Sequence, residues 1–220
     1  MDRAMRSGTE VFGYLNNQEA FLLSGTSFGL IGFGALGRAL LPLLRPFHGT
    51  VRIHDPWLPA SLIRENTAIP CGLDELLRES RVIFVLAGVT QENQGFLDRS
   101  KLSLIRPDAV FVLMSRANVI DFDSLLDLVE QGRFRAATDV FPVEPIPPES
   151  RARRIDRLLL SPHRAGGIPS AYTAIGEAVA DDLELILKGL APQRTQSARP
   201  ETVGRMRSSA VRRAIPGESR

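Results

Sequence analysis

The sequence predicts an α/β protein built on a doubly wound parallel sheet, with helices covering both faces. Three observations lead there. Short apolar runs alternate with helix-patterned segments along most of the chain. The runs are apolar at consecutive positions, as expected of strands buried on both faces. A glycine-rich turn joins the first run to the first helix. Strands separated by helices need right-handed crossovers, and such crossovers make the strands parallel.

The elements follow in order. "SFGLIGF" reads as a strand and "ALGRALLPLLRPF" as a helix that Pro42 should disturb. "TVRIHD" is the second strand, followed by a short helix near "LPASLIREN". "LDELLRES" is a helix and "RVIFVLAG" a buried strand. "AVFVLMS" is a strand, "DFDSLLDLVEQG" a helix ended by Gly132, and "FRAATDV" another strand. "PVEPIPP" holds too many prolines for helix or central strand, so it is a rigid loop past a strand end. "RLLLSP" is the last strand, and "IPSAYTAIGEAVADDLELILKG" a long helix stopped by Gly189.

Composition narrows the function. The 220 residues are 44% hydrophobic, enough for a packed core. No apolar run approaches a membrane span, and "MDRAMRSGTE" lacks the apolar stretch of a secretory signal. The single cysteine, Cys71, excludes an internal disulfide framework and argues against a cysteine metal site. These features fit a cytoplasmic protein with no membrane partner and no metal. From Leu190 onward seven arginines face two glutamates, so the tail carries +5 of an overall +2 and the body −3. The body therefore gives no reason to expect nucleic-acid binding.

Gly32, Gly34 and Gly37 in "GLIGFGALGRAL" have G-x-G-x-x-G spacing, after a strand and opening a helix. That context is the Rossmann dinucleotide-binding fingerprint. The first glycine allows the tight turn, the second the approach of a pyrophosphate, and the third close packing of helix on strand. Ala35 and Leu36 fall in the same turn, at the helix N-terminus that favours the anion. Asp55 ends the second strand, eighteen residues after Gly37. A carboxylate there accepts hydrogen bonds from ribose hydroxyls and repels a 2′-phosphate, which selects NAD over NADP. "HDPW" offers no neighbouring arginine to reverse that choice.

Three residues past later strands suit chemistry on a 2-hydroxy acid: Arg116, Glu144 and His163. An arginine clamps a carboxylate, a histidine exchanges a hydroxyl proton near neutral pH, and a glutamate supports the imidazolium. Singly, each also fits an ordinary role as a helix-start turn, a loop charge or a structural histidine.

The ordered set "GLIGFGALGRAL", "VTQENQGFLD", "RPDAVFVLMSRANVIDFDSLLDLVEQGRF", "ATDVFPVEP" and "LLLSPHRAG" resembles the D-isomer-specific 2-hydroxyacid dehydrogenases from about Phe21 to Gly189. The resemblance implies NAD-dependent hydride transfer between a 2-hydroxy and a 2-oxo acid. It implies Arg116 as substrate-binding arginine, His163 as acid/base and Glu144 as its support. It implies Asp139 near the nicotinamide carboxamide, with Val89, Thr90, Ser115 and Gly166 lining the cofactor. It further implies a homodimer through this domain. Ala117 stands where a glycine is usual, which puts a methyl group near the substrate.

The resemblance divides the chain into residues 1–26, a remnant of a substrate domain or linker, residues 27–189, the NAD-binding domain, and residues 190–220, an Arg-rich tail that reads as disordered. Family members place most of a substrate domain before the fingerprint, and 26 residues are too few for one. Cofactor binding is therefore expected to outlast turnover. The alternative function is a non-catalytic NAD-binding or interaction module of corepressor type.

Overall fold

A computed structural model describes residues 2–9 and 20–196, with side chains from residue 5 onward. Met1, residues 10–19 and residues 197–220 lie outside the described residues. Parts of the expected N-terminal remnant and of the Arg-rich tail fall there.

Helix α1 (Asp2–Ser7) precedes an alternation of β1 (Phe28–Ile31), α2 (Ala35–Leu44), β2 (Val51–His54), α3 (Ala60–Glu65), β3 (Ile69–Pro70), α4 (Leu73–Glu79) and β4 (Val82–Val85). The second half contains α5 (Arg99–Leu102), β5 (Val110–Leu113), α6 (Phe122–Glu130), β6 (Arg135–Thr138), β7 (Leu158–Leu160) and α7 (Pro169–Leu187). The seven strands form one sheet in the order β3-β2-β1-β4-β5-β6-β7, and every pairing is parallel. This is the doubly wound Rossmann-like architecture that the alternation predicts.

Neighbouring residues along a strand enter different cores. Phe28 and Leu30 of β1 join Leu41 and Leu44 of α2, whereas Ile31 joins Leu76 and Leu77 of α4 and Leu125 and Val129 of α6. Burial on both faces is why the strands read as continuous apolar runs. Phe28, Leu30, Ile83 and Phe111 are all at most 1% exposed.

Two local details differ from the sequence reading. Helix α2 runs through Pro42 to Leu44 and then tightens into a 3₁₀ turn over Arg45–Phe47. The buried positions Gly37, Leu41 and Leu44 bracket the proline, so packing holds the helix despite the lost backbone bond. Helix α1, strand β3 and helix α5 are new, and all are too short to leave a periodic pattern.

Residues 20–26 are joined to the sheet. Phe21 lies 4.0 Å from the Arg81 guanidinium carbon and 5.8 Å from that of Arg135. Gly25 N–H donates to the Phe47 carbonyl at 2.7 Å.

Helix α7 carries Tyr172, Ile175, Val179, Leu183 and Ile186 at helical spacing, and all are exposed among the described residues. Its last turns hold the start of the tail. The buried Asp182 accepts from the N–H groups of Gln193 (2.7 Å), Arg194 (2.9 Å) and Thr195 (2.7 Å) and from the Thr195 hydroxyl (2.6 Å). Arg194 also pairs with Asp181 at 2.7 Å. The Thr195 hydroxyl and these backbone donors hold the Asp182 carboxyl far below the usual carboxylate range, against the opposing effect of burial.

A depressed folded value means that this contribution is complete above the ordinary carboxylate value and is lost as pH falls through the folded one. We predict that the amide resonances of Gln193, Arg194 and Thr195 hold their positions through the ordinary carboxylate range and move only below it. In Asp182→Ala they should already be unanchored at neutral pH. Unchanged resonances in that variant would contradict the anchoring role.

Candidate functional site

The register of the sheet builds the site edge. Ile31 pairs with His54 and Val85, Val85 with Leu113, Leu113 with Thr138, and Thr138 with Leu160. Six strands therefore end in one row. The residues just beyond it include Gly32, Asp55, Leu86, Asp139 and Ser161. The reversal of strand order falls between β1 and β4, where a ligand crevice is expected. A crevice of about 540 Å³ opens there, lined by Gly32, Gly34, Arg38, Asp55, Trp57 and Thr90 among others.

The three glycines differ in what they permit. At Gly32, with φ of 95°, an added Cβ would lie 2.7 Å from backbone atoms of Ala87. At Gly37 it would lie 2.8 Å from the Gly32 carbonyl oxygen. At Gly34 it would meet nothing within 4 Å. Gly32 and Gly37 are thus required by the fold itself, while Gly34 keeps space open above the turn. Ala35 and Leu36 are exposed beside it. No side chain caps the N-terminus of α2, so its first N–H groups remain available to an anion.

Asp55 is tied into this turn. Its Oδ2 accepts from Phe33 N–H at 2.8 Å and its Oδ1 from Trp57 N–H at 3.0 Å. Each carboxylate oxygen keeps a second lone pair for a hydroxyl donor. Asp55 therefore fixes the glycine turn as well as facing the crevice.

Past β4, the Asn93 side chain accepts from Thr90 N–H at 2.8 Å and donates to the Gly88 carbonyl at 2.7 Å. This closes the loop containing the buried Val89. The Thr90 and Ser115 hydroxyls are buried without a hydrogen-bond partner. Such groups are costly unless something satisfies them. The two orphaned hydroxyls, the open space at Gly34 and the uncapped helix fit a dinucleotide.

The later strands bring Glu144 and His163 together. His163 Nδ1 lies 2.7 Å from Glu144 Oε2, and Glu144 Oε1 accepts from Phe141 N–H at 3.0 Å. A carboxylate only accepts, so Nδ1 carries the proton and Nε2 is left to exchange one. The histidine side chain is 43% exposed and that of the glutamate 23%. His163 has φ of 52°, a left-handed conformation that costs a non-glycine residue roughly 1–2 kcal/mol.

Arg116 is exposed, and its Nη1 donates to the Ser115 carbonyl at 2.7 Å. The Ala117 methyl is 3% exposed and packs in the core rather than toward the crevice. Asp139 is buried and accepts from Arg164 and Ala165 N–H. Gly166 lies exposed beyond them.

Sequence reasoning missed Arg38, Trp57 and Asn93. Arg38 shares the crevice with Asp55 although it belongs to α2, with its guanidinium carbon 5.7 Å from the Phe33 ring centroid. The sequence places no arginine beside Asp55, and Arg38 reaches the crevice from α2 instead. Cys71 is no thiolate near neutral pH: burial pushes it up to about 11, with Glu75 adding and Arg52 opposing. No cluster of histidine, cysteine and carboxylate groups suited to a metal ion occurs among the described residues. Nor is any described helix long and apolar enough to cross a membrane.

The edge and crevice define the class as dinucleotide-binding α/β proteins. Residues 1–165 match the sequence model of the D-isomer specific 2-hydroxyacid dehydrogenase, NAD binding domain. The chain belongs to that family, and its cofactor is NAD. It is 25% identical over 169 residues to a D-3-phosphoglycerate dehydrogenase of Methanocaldococcus jannaschii, covering 76% of this chain and 32% of that one. It is 29% identical over 175 residues to a glyoxylate reductase of Thermofilum pendens, covering 77% and 51%. A phosphoglycerate oxidoreductase structure from Rhizobium etli superposes with a TM-score of 0.85 at 41% identity, covering 91% of this chain and 61% of that one. The chain thus spans about a third to a half of the length of these curated relatives.

The glycine geometry gives a two-sided expectation. Gly34→Ala should fold with an unchanged melting temperature yet bind NADH at least ~10-fold more weakly, because its methyl enters the pyrophosphate space. Gly32→Ala should lose about 2 kcal/mol or more of stability from strain and overlap. Thermal melts and NADH titration check both. Full NADH affinity in Gly34→Ala would refute the assignment of the turn.

Proposed function

We propose that this chain carries the NAD-binding and proton-exchanging half of a D-2-hydroxyacid dehydrogenase. The observation that carries the reading is the Glu144–His163 pair at 2.7 Å, on the same strand edge as the glycine turn. NAD, when bound, supplies a hydride acceptor at nicotinamide C4. His163 Nε2 takes the hydroxyl proton as the C2 hydride leaves, and the reverse reaction returns both. Glu144 holds the ring and stabilises the imidazolium. Arg116 holds the substrate carboxylate, which requires it to turn from the Ser115 carbonyl.

Gly32, Gly34, Ala35, Leu36 and Gly37 cradle the pyrophosphate. Val89, Thr90, Ser115, Asp139 and Gly166 line the nicotinamide end. Asp55 favours NAD over NADP through the ribose edge, and Arg38 in the same crevice moderates that preference. The NAD-binding domain spans residues 27–189. Pairing of two copies and residence in the cytoplasm are carried over from the resemblance alone.

The test is NADH oxidation by this chain with a panel of 2-oxo acids, beside NADH titration. We expect NADH binding with turnover at least ~100-fold below an ordinary enzyme's ~10 per second, falling further in His163→Ala with NADH affinity unchanged. Failure to bind NADH, or residual turnover that is unchanged in His163→Ala, would overturn the reading. In Asp55→Ala, affinity should fall more for NADH than for NADPH. Equal losses would instead assign Asp55 to holding the Phe33 turn.

A further inference from the structure

Two constraints converge on His163, and both start from the end of β6. One is the familiar pair: Glu144 reaches the ring at 2.7 Å and is itself held by Phe141 N–H at 3.0 Å. The other acts on the backbone. Asp139 follows β6 directly and is 4% exposed. Its Oδ1 accepts from Arg164 N–H at 3.1 Å and its Oδ2 from Ala165 N–H at 2.9 Å. These are the two residues after His163, whose own φ of 52° is unfavourable for a side chain with a Cβ. Such a conformation persists only where its surroundings fix it.

We propose that Asp139 is a positioning residue for the acid/base. It fixes the backbone of the 163–165 turn so that the His163 ring meets Glu144 and presents Nε2 to the crevice. The proposal rests on the reading of His163 as acid/base and assigns Asp139 a role beyond a contact to the cofactor. Three features support it. Both carboxylate oxygens already serve backbone donors of one turn. Asp139 is well anchored: its N–H donates to the Leu113 carbonyl at 3.3 Å, and the Thr138 hydroxyl bridges the Val140 N–H (3.2 Å) and carbonyl (2.8 Å). Burial opposes its ionisation, yet bonds from Ser161, Ala165 and Arg164 and the nearby His163 ring outweigh burial and hold the carboxyl below its ordinary value. An ionised acceptor of backbone N–H groups makes stronger bonds than a neutral one.

The experiment reads the ring directly and needs no turnover. The chain has three histidines, so the Cε1–H resonance of His163 is assignable by substitution. In the otherwise unaltered chain, Glu144→Gln should shift that resonance. In an Asp139→Ala background the same substitution should shift it little, because the ring has already left the carboxylate. His48 and His54 should keep their resonances. NADH affinity should fall as well in Asp139→Ala, because Asp139 also lines the nicotinamide end, so the loss of the Glu144 coupling is the readout that identifies the positioning role.

Asp139→Asn guards against a failure to fold. It keeps the side-chain shape but turns one acceptor into a donor that faces an N–H group, and it should uncouple His163 from Glu144 as the alanine does. Retention of the full Glu144→Gln shift in both variants would overturn the proposal. So would a loss of NADH affinity of about tenfold or more with that coupling intact, which would make Asp139 a cofactor contact alone. Absence of turnover in the parent chain would leave this result standing, because the readout needs no substrate.

Discussion

The in-register pairing of parallel strands is the constraint on which the rest depends, because it decides where every strand stops. Ile31, His54, Val85, Leu113, Thr138 and Leu160 form one row across the sheet. A one-residue slip of β6 against β5 would turn its side chains to the opposite face. It would also displace Asp139 and Glu144 relative to the cofactor edge. The two cores hold the register by burying successive strand residues on opposite faces. Packing of residues far from any ligand thereby fixes the position of the chemistry.

Past that row, two aspartates use the same device. Asp55 after β2 accepts from Phe33 N–H in the glycine turn, and Asp139 after β6 accepts from Arg164 and Ala165 N–H in the histidine turn. In each case a carboxylate at one strand end braces the loop that leaves the neighbouring strand. Both loops adopt positive φ, at Gly32 and at His163. Glycine accepts that geometry freely, whereas histidine needs outside support.

The six longer strands and five of the helices were legible from short apolar runs alternating with helix-patterned segments, whereas the order of the strands in the sheet was not. The glycine turn and Asp55 were legible from spacing, and Glu144 and His163 from motif and position past a strand. Other features left no such trace. Strand β3 and helix α5 span two and four residues, too short for a period. The bonds of Asp55 to Phe33, Asp139 to Ala165 and Asp182 to Thr195 join a side chain to backbone far along the chain, and any backbone N–H looks alike in sequence. Arg38 was overlooked because it enters the crevice from a helix rather than beside Asp55. Ala117 reads as a methyl near the substrate, yet the 3₁₀ turn over Ala117–Val119 directs it into the core.

The central claim is that one strand edge of this chain holds both the dinucleotide and the proton-exchanging pair. A crystal structure of the chain with NADH tests it most directly. The account predicts the pyrophosphate over Gly34 at the N-terminus of α2, the adenosine ribose at Asp55, and the nicotinamide ring facing His163 Nε2 with the Glu144 contact retained. A dinucleotide bound elsewhere, or a nicotinamide ring turned away from a His163 that has parted from Glu144, would contradict it.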